Sequence, residues 1–109
     1  MSDQPYQIYR TCEVPGNDEF VLPEYHLNGS GRHLVKVLRE AVVALTQARK
    51  AMAQCRPHGR DYYTYLEGDI ALAKAREQHS SMESQIEAVT DTLTCVALDA
   101  QTQLRYVGD

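Results

Sequence analysis

The chain has 109 residues, 43% of them hydrophobic and 24% charged, with a net charge of −4. That is the size of a single domain able to bury its own core, and no apolar run approaches the roughly 18 residues of a membrane-spanning helix. Three scattered cysteines argue against a disulfide framework, so Cys12, Cys55 and Cys95 are expected as reduced thiols.

The N-terminal part, residues 1–29, is acidic, with Arg10 as its one cation. Its opening MSDQPYQIYR lacks the basic start and apolar middle of a secretory signal, so the chain is expected inside the cell. Ile8, Tyr9, Thr11 and Val14 favour extended structure and precede the turn-forming PGNDE, after which FVL is stopped by Pro23. The pattern predicts either a short β-hairpin or an extended arm, and Pro23 confines any second strand to an edge. LNGSG at 27–31 breaks the chain, with Ser30 placed to cap a helix.

Residues 30–56 predict the first helix. Leu34, Leu38, Ala41, Leu45, Ala48, Met52 and Cys55 recur at alternating spacings of four and three. Pro57 and Gly59 end it. The apolar face looks wider than one partner helix can cover. Val35, Val42 and Val43 flank the stripe and form a candidate homodimer interface. Residues 30–60 carry a net charge of +6, which raises nucleic-acid binding as an alternative. Against it stand the overall acidity and the absence of a helix-turn-helix pattern.

A connector at 57–68 leads to a second helix at 69–104. Leu72, Ala75, His79, Met82, Ile86, Val89, Leu93, Val96 and Ala100 repeat the stripe. Thr64 and Glu67 fit a capping box, while Gly68 favours a start near Asp69. Two such stripes across a short connector predict a mainly α fold, a long antiparallel helical hairpin of coiled-coil character. Folding at the connector pairs Met52 with Ala75, Ala48 with His79, Leu45 with Met82 and Leu38 with Val89. The second helix overshoots the first, and the N-terminal segment is the natural cover for that end. Residues 61–109 carry a net charge of −6, which offers the basic helix a partner within the chain.

The connector CRPHGRDYY concentrates the chemistry. Cys55 and His58 have the spacing of half a zinc site, but no second tight ligand pair accompanies them. A Cys55–His58–Asp61 nucleophile lacks an oxyanion loop. The preferred reading is architectural: Pro57 and Gly59 turn the chain, with Gly59 able to adopt positive φ. Exposed tyrosine and arginine are also the residue types that dominate binding hot spots, so Arg56, Arg60, Tyr62 and Tyr63 are the candidate partner-binding residues. No catalytic residue, metal ligand or cofactor is assigned. His79, opposite small Ala48, is read as a tolerated polar residue of the seam.

HGRDYY at 58–63, preceded by AMAQCRP and followed by ALAKAREQHSSMESQI with Glu77 and His79, resembles a tract of small tailed-phage and prophage proteins, in which it joins two helices. The likeness spans residues 45–97. It brings no activity with it. It implies a phage-encoded accessory protein in a bacterial cytoplasm, of a class that acts by binding host proteins and includes anti-defence factors. The expected function is therefore non-catalytic binding of a host protein, with homodimerisation and without a membrane.

Overall fold

The computed structural model describes residues 9–17, 19–25 and 31–106. The proposed Ser30 cap and the strand position at Ile8 lie outside them. Two helices pack against each other, and a two-stranded antiparallel hairpin precedes them. Among the described residues no helix is long and apolar enough to cross a membrane.

The N-terminal segment is a β-hairpin rather than an extended arm. β1 (Thr11–Cys12) pairs with β2 (Phe20–Val21), with Thr11 opposite Val21 and Cys12 opposite Phe20. The Leu22 amide donates to the Arg10 carbonyl at 2.8 Å, and the Asn17 amide to the Val14 carbonyl at 2.8 Å. The turn needs left-handed backbone at Gly16 (φ 91°) and Glu19 (φ 66°). Gly16 is required twice over, because a Cβ there would lie 2.9 Å from the Ala88 Cβ.

α1 (Gly31–Gln54) and α2 (Gly68–Tyr106) begin and end close to where the breakers place them. With 39 residues, α2 is about 58 Å long and forms the spine of the molecule. The radius of gyration is 20.0 Å, against about 13 Å for a compact chain of this length. An elongated hairpin has little interior, and its core is small: Cys12, Val14, Val35, Val96, Ala97 and Ala100, with the polar His79, Thr90 and Thr92 also buried.

The face of α2 turned to α1 departs from the expected stripe. Met82 and Val89 are 48% and 44% exposed. The seam instead runs through Leu72, Ala75, His79, Glu83, Ile86, Thr90, Leu93, Ala97 and Ala100, all buried or half-buried. Beyond His79 the two stripes share Ile86, Leu93 and Ala100 and differ by one residue at the alternate positions, where Glu83, Thr90 and Ala97 replace Met82, Val89 and Val96. Pairs built on Met82 and Val89, such as Leu45–Met82 and Leu38–Val89, are therefore not the seam. Register moves with it: His79 Nε2 lies 2.9 Å from the Met52 carbonyl, so Met52 faces a position about one turn beyond Ala75.

Buried polar residues of α2 find partners locally. The Thr90 hydroxyl donates to the Ile86 carbonyl at 2.6 Å, and the Thr92 hydroxyl to the Ala88 carbonyl at 2.7 Å. Each satisfied hydroxyl leaves a methyl group to pack.

A second row on α2, through Ala88, Thr92, Cys95, Asp99 and Gln103, carries the β-hairpin. Arg10 makes a two-pronged ion pair with Asp99 at 2.6 and 3.1 Å. The Asn17 amide group donates to Thr92 Oγ1 at 2.8 Å. Gln103 accepts from the Tyr25 amide at 3.0 Å and donates to the Pro23 carbonyl at 3.0 Å. The N-terminal segment does cover the C-terminal half of α2, but along a second flank of the stretch that α1 covers, not on an overhang alone.

Candidate functional site at the hairpin tip

The connector is built from short hydrogen-bonded turns. The Cys55 amide donates to the Met52 carbonyl at 3.2 Å as α1 runs out before Pro57. His58 then caps a single 3-10 turn, Gly59–Asp61, its Nδ1 accepting from the Arg60 amide at 3.0 Å. The Tyr62 amide returns to the Gly59 carbonyl and the Tyr65 amide to the Tyr62 carbonyl. Gly59 does not have the positive φ expected of it, and a Cβ there would meet Leu72 only in ordinary contact. The glycine the tip depends on is Gly68, where a Cβ would fall 2.4 Å from the Tyr62 carbonyl oxygen. The close approach of α2's first turn to the loop creates that demand, and no turn propensity signals it.

Below the tip, a polar cluster joins the helices. Arg56 Nε and an Arg56 terminal nitrogen donate to the two Glu83 oxygens at 2.8 and 2.9 Å. This pair holds the Glu83 carboxyl below its ordinary range, with a smaller contribution from His79. His79 Nε2 lies 2.9 Å from both Glu83 Oε2 and the Met52 carbonyl. Both are acceptors, so Nε2 carries the proton. His79 thus adds a cross-helix bond to a carbonyl in the last turn of α1 that already accepts from the Cys55 amide. It is a cross-helix link, not a passive seam residue opposite Ala48. Arg76 Nε adds a bond to the Pro57 carbonyl at 3.4 Å.

The sequence-predicted site residues separate accordingly. Arg56 is engaged by Glu83 within the chain. Tyr62 is half-buried, its ring centroid 6.1 Å from that of Tyr65. Arg60 and Tyr63 face outward, Tyr63 being 77% exposed. Beside them stand Tyr65, Leu66 and Ile70, all exposed and Leu66 completely so. Leu66 and Ile70 escaped the sequence reading because they fall off the heptad stripe. The signal was there in YYTYLEGDI, whose apolar residues have no matching seam position. Asp61, Glu67 and Asp69 supply a polar rim.

Cys55 and His58 do not converge. The Cys55 thiol donates to the Met52 carbonyl at 3.4 Å, whereas His58 Nδ1 faces the Arg60 amide. Among the described residues no group of three or more His, Cys, Asp or Glu side chains is arranged to hold a metal ion.

The three valines of the expected dimer face also separate. Val35 is 7% exposed and Val42 is half-buried, whereas Val43 points outward. Val35 and Val42, seven residues apart, share the side of α1 turned inward; Val43 is rotated about 100° from Val42. The outer face around Val43 borders a shallow cleft of about 420 Å³ that Val35 also reaches, with Lys36, Arg39, Glu40 and Gln47 on its walls. Lys36, Arg39 and Lys50 make no ion pair among the described residues. Elsewhere the helices do match charge, with Arg49 3.7 Å from Glu87. No protein-family model, curated protein or solved structure matches this chain.

Proposed function

We propose that the protein is a non-catalytic binding module that offers its hairpin tip to another protein. The observation carrying this reading is the patch of Tyr63, Tyr65, Leu66 and Ile70, exposed together at the end of a helical hairpin whose neck is cross-linked by Arg56, His79 and Glu83. Clustered apolar side chains with a polar rim are typical of contact surfaces. A braced support lowers the ordering cost of binding. Arg60 and Tyr63 remain the best anchors, joined by Leu66; Arg56 serves the brace. The resemblance of the connector to small tailed-phage proteins makes a bacterial host protein the partner to seek, with inhibition in the host cytoplasm as the outcome.

The test uses a photo-reactive residue at position 63 in living host cells. A single host protein crosslinked by the parent, and lost when Leu66→Asp is added with helix content unchanged, supports the reading. Equal crosslinking by both chains overturns it.

A second reading is favoured by the outward row Lys36, Arg39 and Lys50, which points to a nucleic-acid-associated regulator. A mobility shift with random-sequence DNA that weakens steeply with salt would favour it. Homodimerisation through α1 alone would crowd these like charges around Val43, so a symmetric α1–α1 contact is the less favoured route to a dimer.

A further inference from the structure

We propose that Cys12 and Cys95 form an intramolecular disulfide site that fastens the N-terminal β-hairpin to the C-terminal half of α2. Cys12 is buried on β1 and Cys95 is half-buried on α2. Contacts on either side set the alignment. Arg10 reaches Asp99, and Asn17 reaches Thr92 and the Ala88 carbonyl. The first arm of the β-hairpin therefore runs antiparallel to α2, and Cys12, between Arg10 and Asn17, falls beside Cys95, between Thr92 and Asp99. The alignment agrees with the electrostatics of Cys95, whose thiol is pushed up to about 11 by burial first and then by the Cys12 side chain. Cys55 is far removed, exposed at the end of α1.

A thiol this reluctant to ionise reacts slowly, so the pair closes under sustained oxidation, not as a rapid sensor. The co-reactant is a small-molecule disulfide such as glutathione disulfide. The Cys95 thiolate, on the less buried side, attacks one sulfur of the oxidant. A mixed disulfide forms and one glutathione thiolate leaves, taking up the proton Cys95 gave up. The Cys12 thiolate then attacks the Cys95 sulfur and expels the second glutathione, which is protonated in turn. Two protein S–H bonds are replaced by one S–S bond, and the oxidant is reduced to two thiols. The reagent enters when the β-hairpin lifts from α2, past the partly exposed Arg10, Asn17 and Gln103 contacts that fasten its margin.

The experiment oxidises the full chain carrying Cys55→Ser with glutathione disulfide and maps its thiols by mass spectrometry without reduction. A peptide linked through Cys12 and Cys95 within one chain is expected, with a melting temperature raised by about 10 °C, since the bond closes most of the chain into one loop. Dithiothreitol should reverse both, and adding Cys12→Ser should abolish both. Stable glutathione adducts in place of the link, links between chains, or thiols still reduced when an unfolded control has reacted would each overturn the proposal. The same mapping on the parent chain covers the case in which Cys55→Ser disturbs folding.

Discussion

The two ends of α2 are held by different physics. At its C-terminal half, small and β-branched side chains are covered on two flanks, by α1 and by the β-hairpin, and Ala100 has no exposed surface. At its N-terminal half α1 runs out, and directional bonds take over: His79 to the Met52 carbonyl, Arg56 to Glu83, Arg76 to the Pro57 carbonyl. Burial is non-directional and needs matched surface on every side. A hydrogen-bonded brace needs only a few atoms, so it can hold the neck while leaving Tyr63, Leu66 and Ile70 uncovered beyond it. The braced end gathers its exposed apolar side chains within residues 63–70, whereas those of the covered end, such as Phe20, Val21 and Leu98, are spread over the β-hairpin and α2.

The largest effect separating the two ends should come from Ala100→Asp. It places a charge where two flanks close over the backbone and should cost about 3–5 kcal/mol in thermal or denaturant unfolding. A variant as stable as the parent would mean that this half is not doubly covered. Next, Gly68→Val should cost roughly 2–3 kcal/mol by forcing α2 away from the Tyr62 carbonyl, whereas Gly59→Ala should cost under about 1 kcal/mol. Equal losses at the two glycines would contradict the close approach at Gly68.

His79→Leu should then destabilise the neck by about 1–2 kcal/mol, because the Met52 carbonyl and Glu83 each lose a donor. A stabilised variant would restore the reading of His79 as a mere seam residue. Acid offers a finer cut. The Asp99 carboxyl is held low by Arg10, and that of Glu83 by Arg56. Carboxylates with depressed values stabilise the fold in full above about pH 5, and the contribution fades as pH falls through about 4 and below. Hydrogen exchange should then show the neck and the β-hairpin opening first, with Thr90 to Ala100 protected longest. Uniform loss of protection would mean that burial does not distinguish the ends. The smallest effect is expected at the tip, where Leu66→Ser should change stability by less than about 0.5 kcal/mol while weakening partner capture.

Much of the architecture was legible in the residues. Heptad spacing in Leu34–Met52 and in Leu72–His79, the breakers around Pro57 and Gly68, and the PGNDE turn announce two helices, a connector and a hairpin, because these signals act through the local backbone. Tyr63 and Arg60 were legible as surface residues for the same reason: no periodic apolar position claims them. Beyond His79, Ile86, Leu93 and Ala100 were legible on the seam, but the positions between them were decided only by tertiary structure. Periodicity ranks residues by apolarity and favours Met82 and Val89. Yet Glu83 sits at the seam because Arg56, 27 residues away, neutralises it, and Thr90 because its hydroxyl bonds the preceding turn. The demand for glycine at position 68 and the engagement of Arg56 share that origin. Each depends on which atoms arrive from a distant part of the chain, and adjacent helical positions point about 100° apart, so the choice between Met82 and Glu83 or Val89 and Thr90 changes the neighbours met there.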